Sequence, residues 1–300
     1  MDQPLPPAEI VTQLTSLPAR SPTDNKGDFG KILIVAGSRG MSGAAILCGR
    51  AALRGGAGLV RCAVPAEILP IVAGGDPCYL TVPLIPDGEG RVAEEAVAPL
   101  LAAAKGQDVL AVGPGMGRSA GVTAVVFALL ESTSLPMVLD ADGLNALSGQ
   151  TQQIASRQAP LIITPHPGEF ARLLGTTVAE VQANRSALAR QFAWEHRVIV
   201  VLKGHGTVVT DGLRLYINKT GNPGMATGGT GDVLTGLIAA LLGQGMEPFT
   251  AAQLGVHLHG LAGDLARERL GEPSLIATDL LKYLPGAFQQ SDFSLSDTPF

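Results

Sequence analysis

The run Asn222-Pro-Gly-Met-Ala-Thr-Gly-Gly-Thr-Gly-Asp232 passes without a break into Val233-Leu-Thr-Gly-Leu-Ile-Ala-Ala-Leu-Leu242. Gly228, Gly229 and Gly231 carry no β-carbon, so this backbone can turn sharply and come close to a ligand. The apolar run after it reads as a buried helix starting near Gly231. A glycine-rich turn feeding a helix start aligns several N–H groups at the positive end of the dipole. That is an anion site of the kind phosphate occupies. Asp232 is repelled there unless it acts as a base on a neutral hydroxyl beside the phosphate. The plainer reading is a first-turn acid favoured by the dipole.

Outside this stretch, apolar runs end repeatedly in glycine or polar loops. Residues 31–36, 59–64, 109–112, 137–142, 161–166 and 198–203 read as strands, most of them buried on both faces. Helical composition covers 44–54, 122–130, 143–147 and 178–196. Residues 79–84 read as an edge strand, because Pro83 removes a donor. Asp211-Gly212 sits between two β-prone runs as a hairpin turn. Helices are expected from about Asp232 and Thr250, with a short one near Leu280. Strands alternating with helices imply an α/β fold with a mostly parallel sheet layered between helices. We divide the chain into an extended arm over 1–25, one domain over 26–288 and a frayed polar tail over 289–300.

Composition supports a large core, with 46% hydrophobic and 16% charged residues among 300. A net charge of −5 without a basic run argues against nucleic acid or a membrane surface as partner. No apolar stretch reaches the roughly 18 residues that cross a bilayer. The acidic, proline-rich start is unlike a signal peptide, so a cytoplasmic location is expected. Cys48, Cys62 and Cys78 lack metal-ligand spacing and read as buried free thiols.

In such sheets, ligands bind beyond the carboxyl ends of the strands. The unusual clusters all fall at predicted strand ends: 37–43, 113–117, 140–145, 166–169, 203–207 and 228–232. Lys203-Gly-His-Gly-Thr207 suits a nucleotide phosphate or ribose, or is a plain turn. His166, clamped between Pro165 and Pro167, could with Glu169 hold a hydroxyl or order water on magnesium. Asp140 and Asp142 alternate along one predicted strand, and Asn145 follows Asp142 by one helical turn. These two acids are an acid/base pair, or Asp142 is a helix cap. His257 and His259 cannot share a helix face as a metal pair, and at least one is a packing residue. Gly113-Pro-Gly-Met-Gly117 matches neither the dinucleotide fingerprint nor the P-loop and offers close backbone approach.

Taken in order, Gly37-Ser-Arg-Gly-Met-Ser-Gly-Ala-Ala45, Gly113–Gly117, Leu139-Asp-Ala-Asp-Gly-Leu-Asn145, Thr164-Pro-His-Pro-Gly-Glu169, Lys203–Thr207 and Asn222–Asp232 resemble the ADP/ATP-dependent NAD(P)H-hydrate dehydratases. The resemblance spans roughly residues 26–285 and implies a three-layer, ribokinase-like α/β sandwich. It implies dehydration of the S form of NADH hydrate and NADPH hydrate back to NADH and NADPH. ADP (or ATP) is the co-substrate, used with Mg²⁺, and bacterial members typically release AMP and phosphate from ADP. Carried over, Lys203, Gly204, His205, Gly206, Thr207, Gly228, Gly229, Thr230 and Gly231 hold the adenine nucleotide. Ala45, Gly115, Gly117, Asn145, His166 and Asp232 contact the hydrate. Asp232 and His166 are the catalytic candidates, and Glu169 reaches the metal through water. The family further implies a homotetramer. The epimerase domain fused to some members has no counterpart here, so epimerase activity is not assigned. The rivals are a small-alcohol kinase of the same fold, acting on a vitamin precursor, and a non-catalytic nucleotide sensor.

Overall fold

A computed structural model describes residues 5–155 and 157–296; the ends of the arm and tail, 1–4 and 297–300, lie outside the described residues. The strands are β1 (Glu9–Ile10), β2 (Lys31–Val35), β3 (Leu59–Pro65), β4 (Leu80–Leu84), β5 (Val109–Val112), β6 (Met137–Leu139), β7 (Leu161–Ile163), β8 (Ile199–Leu202), β9 (Val208–Thr210) and β10 (Arg214–Ile217). The helices are α1 (Ser42–Arg54), α2 (Leu69–Ala73), α3 (Val97–Ala104), α4 (Ala120–Ser132), α5 (Ala141–Asn145), α6 (Gln152–Ala155), α7 (Pro167–Leu174), α8 (Val178–Ala183), α9 (Arg185–His196), α10 (Thr230–Gly243), α11 (Pro248–Leu270) and α12 (Ala277–Ser296).

The strands form one sheet in the order β1-β10-β9-β8-β7-β6-β5-β2-β3-β4. Neighbours are parallel except that β9 opposes both β8 and β10. Period-two alternation explains why the central strands are apolar at every position. On β2, Ile32 and Ile34 join the core under α1, α10, α11 and α12, whereas Leu33 and Val35 join the core under α3, α4, α7 and α9. With both faces covered, neither set can be polar. β4 with Pro83 is an edge, as expected.

Several expectations change. The 1–25 arm contributes β1, which extends the sheet beside β10. The helix expected over 178–196 is broken at Asn184, where φ is −128° and α8 gives way to α9. The helix near Leu280 is not short: α12 continues to Ser296, through most of the expected frayed tail. Cys48 and Cys62 are buried, but Cys78 is exposed, because it precedes edge strand β4 rather than a core element. Among the described residues no helix is long and apolar enough to cross a membrane.

The chain leaves β2 outward to β3 and β4 and then returns to β5 on the other side of β2. At such a reversal ligands bind outside the carboxyl ends of the strands, against the loops that follow the two central strands. Here those loops are 37–43 and 113–117. They are tied together by Gly37 N–H donating to Pro114 O (2.7 Å) and Ser38 Oγ donating to Gly115 O (2.8 Å).

Candidate active site

α10 begins without a side-chain cap. Gly229 at the N-cap has φ +92°, a conformation open to glycine, and no side chain accepts from the first-turn N–H groups. Those donors remain available to an anion. Asp232, in the same turn, is half-buried and accepts no hydrogen bond among the described residues. Burial raises its pKa from 3.8 to about 7, with Asp140 adding to the shift and Lys203 opposing it. A carboxylate that titrates near neutrality is matched to general-base work.

Beneath the turn lies a buried charge cluster. Lys203, at the end of β8, pairs with Asp140 at 2.7 Å and faces Glu169 at 3.9 Å. The other oxygen of Asp140 accepts from Thr235 Oγ1 of α10 at 2.8 Å. Burial alone would lower the pKa of Lys203, but Asp140 and Glu169 outweigh it and the net shift is upward. A β-carbon on Gly231 would stand 3.3 Å from Lys203 Nζ, so the lysine loop and the glycine turn meet at one point.

His166 caps α7, a helix absent from the sequence reading, in a capping box with Glu169. Its Nδ1 accepts from the N–H groups of Gly168 (3.0 Å) and Glu169 (3.3 Å), while Glu169 Oε2 accepts from His166 N–H (2.8 Å). Burial, then Lys203 and Arg172, lower the histidine's pKa. The neutral ring thus has its Nδ1 lone pair engaged and offers only Nε2–H, 3.3 Å from Glu169 Oε1. Glu169, expected to reach a metal through water, is 6% exposed and engaged by the cap and by Lys203. Burial pushes its pKa up against the pull of Lys203.

Asp140 and Asp142 do not alternate along a strand, because β6 ends at Leu139. Asp140 is the N-cap of α5 and Asp142 lies inside that helix. The turn is made by Ala141 at φ +49°, an unusual value for a residue with a β-carbon. It sends Asp140 inward to Lys203 and Asp142 to the 113–117 loop. There Asp142 accepts from Gly117 N–H at 2.8 Å and from Asn145 Nδ2 at 3.1 Å. Asn145 in turn accepts from Arg172 at 3.0 Å. Gly113 is obligatory: its φ is +123° and a β-carbon would lie 1.8 Å from Asp140 O. Gly115 and Gly117 are partly exposed on this loop, but Ala45 is fully buried behind it. Ala45 therefore packs beneath the rim.

A cavity of about 770 Å³ opens between the lysine loop, β10, the 219–226 loop and the first turns of α10 and α11's midsection. Lys203, Gly204, His205, Gly206, Thr207, Thr230 and Gly231 line it. Gly228 and Gly229 do not, and neither does Asp232. Gly229 turns toward Leu47 and Ala277, and Asp232 Oδ2 lies 4.0 Å from where its β-carbon would be. The turn is thus a partition, with the cavity on one side and the carboxylate on the other. Sequence reasoning missed the apolar wall (Met225, Leu234, Val256) and His259. It also missed Asp264, which accepts from Gly221 N–H (2.8 Å) and Asn222 Nδ2 (3.0 Å) and holds the loop to α11. Among the described residues no group of three His, Cys, Asp or Glu side chains could hold a metal ion.

Comparison with known proteins extends this geometry. The profile of the NAD(P)H-hydrate dehydratase family matches residues 32–286. The chain is 46% identical over 273 residues to a bifunctional NAD(P)H-hydrate repair enzyme of Moorella thermoacetica, covering 90% of this chain and 51% of that one. It therefore spans about half the length of that relative. It is 43% identical to an ADP-dependent (S)-NAD(P)H-hydrate dehydratase of Neisseria meningitidis, covering 84% and 82% of the two chains. A Bacillus subtilis ADP/ATP-dependent NAD(P)H-hydrate dehydratase, co-crystallised with ATP and Mg²⁺, superposes with a TM-score of 0.80 at 32% identity, over 92% of this chain and 95% of that one.

Proposed function

This chain belongs to the NAD(P)H-hydrate dehydratase family, and from that premise we propose that it dehydrates the S form of NADH hydrate and NADPH hydrate at the expense of ADP. The products are NADH or NADPH, AMP and phosphate. The observation that carries this reading is the half-buried, unpartnered Asp232 beside the uncapped start of α10, with the lysine-loop cavity across the turn. We assign the cavity to the adenine nucleotide, its phosphates toward the N–H groups of α10. The hydrate takes the other side, against the 113–117 loop, with Asn145 and the Nε2–H of His166 as polar contacts.

Asp232 removes the proton of the C6 hydroxyl as that oxygen attacks the terminal phosphorus of ADP. The new P–O bond forms while the bond to AMP breaks, and the first-turn amides stabilise the charge on the transferred group. The ring nitrogen lone pair then expels phosphate from C6. Loss of a C5 proton completes the dihydropyridine. Lys203, neutralised by Asp140 and Glu169, fixes the floor of the site rather than adding a free positive charge. The chain offers no three-ligand metal site among its described residues, so Mg²⁺ fits as an ion carried by the nucleotide phosphates. A cytoplasmic homotetramer completes the reading.

The test mixes purified protein with NADPH hydrate, ADP and Mg²⁺ and follows the near-ultraviolet absorbance of the dihydronicotinamide. Recovery of absorbance with one phosphate released per turnover is expected. No recovery, with a stable phosphorylated alcohol formed from a vitamin precursor instead, overturns the reading in favour of a kinase. Nucleotide binding without turnover of any hydroxyl substrate would make the protein a sensor.

A further inference from the structure

His259 lies midway along α11, where it lines the nucleotide cavity next to the first turn of α10. Its Nε2 is 2.9 Å from the carbonyl oxygen of Thr230. A carbonyl only accepts, so Nε2 carries the hydrogen. Burial pushes the ring's pKa down to about 4, so it is neutral at physiological pH. The tautomer is thereby fixed and Nδ1 presents a bare lone pair. That nitrogen has no hydrogen-bond partner among the described residues, yet it is not enclosed by protein. It therefore faces the open space that the ring lines.

A lone pair in that wall selects for a donor. The neighbouring polar side chains are already committed to the chain itself. Asn218 donates to Thr220 O and Val256 O and accepts from Tyr216 and Thr220, while Thr207 donates to Gly204 O. His205 and Lys219 stand exposed. Nucleoside diphosphates carry no phosphate donor at neutral pH; their donors are the ribose hydroxyls and, in adenine, the base amine. Ribose is the group joined directly to the phosphates. With the phosphates at the first-turn amides of α10, the sugar is the part that reaches the residue packed against Thr230.

We propose that His259 recognises the nucleotide by accepting, through Nδ1, a hydrogen bond from a ribose hydroxyl. The same ring holds Thr230 through Nε2, so sugar recognition is coupled to the position of the helix start. This rests on the assignment of the cavity to the nucleotide.

The experiment is calorimetric titration of the full chain with ADP, 2′-deoxy-ADP, 3′-deoxy-ADP and inosine diphosphate. Parent, His259→Leu and His259→Gln are compared. The parent should bind one deoxy nucleotide about three- to tenfold more weakly than ADP, the worth of one hydrogen bond, and should bind inosine diphosphate like ADP. In His259→Leu that discrimination should vanish. His259→Gln, which keeps a donor for Thr230 O, serves if the leucine variant does not fold. Equal weakening toward all four nucleotides with discrimination intact overturns the inference and makes the residue structural. A parent that distinguishes only inosine diphosphate also overturns it, in favour of the base amine. Either result leaves the proposed function standing, whereas a parent that binds no adenine nucleotide sinks both.

Discussion

Asp232 titrates near neutrality because its carboxylate loses water on folding and sits near Asp140, a shift from 3.8 to about 7 that Lys203 only partly offsets. Between those values the folded chain holds a proton that the unfolded chain has released. The favourable contribution of the protonated group is complete below the ordinary aspartate range and is lost as pH rises through about 7. Asp232→Asn should therefore be more stable than the parent above neutrality, by about 1–2 kcal/mol after discounting for partial exposure, and equal to it near pH 4. Thermal melts at both pH values check this. Lys203 makes the opposite case. Its removal leaves Asp140, 1% exposed, as an unpaired buried charge, so Lys203→Met should cost about 3–5 kcal/mol in denaturant unfolding. Lys203→Met,Asp140→Asn should recover part of that loss.

Among the elements, the start of α10 carries the proposed phosphate cradle. Gly231 has helical backbone, and an added β-carbon meets only Lys203 Nζ at 3.3 Å and Asp140 Oδ2 at 3.7 Å. Gly231→Ala should fold with a nearly unchanged melting temperature yet raise the KM for ADP by about tenfold or more, because the methyl group occupies the cradle. Steady-state kinetics beside a melt separates the two effects. This glycine turn, the central strands and the convergence of loops were legible in the sequence, since a strand covered on both faces must be apolar at every position. α7 was not legible: Pro165-His-Pro-Gly-Glu169 looks like a rigid loop, and only the reciprocal bonds of His166 and Glu169 make it a helix start. The acids on either side of Ala141 were misread because a positive φ at an alanine has no signature in the sequence. Of His257 and His259 the sequence said only that at least one packs, as nothing on α11 marks which face meets a cavity.

Over the whole molecule, the sheet reversal beside β2 brings the 37–43 and 113–117 loops together, and the lysine loop reaches the same rim from β8. The arm is joined to this body: β1 pairs with β10, and Gln253, 1% exposed on α11, donates to Gln13 O. Deleting residues 1–14 strands that buried amide and should cost about 1–3 kcal/mol, read as a lower denaturant midpoint. In the proposed reaction everything turns on Asp232 acting as base across the glycine turn from the nucleotide. The most direct measurement is kcat for hydrate dehydration by Asp232→Asn alongside its ADP-induced rise in melting temperature. The expected result is a fall in kcat of about 10²–10⁴ with the ADP-induced rise retained. A variant that binds ADP and turns over at close to the parent rate would contradict it.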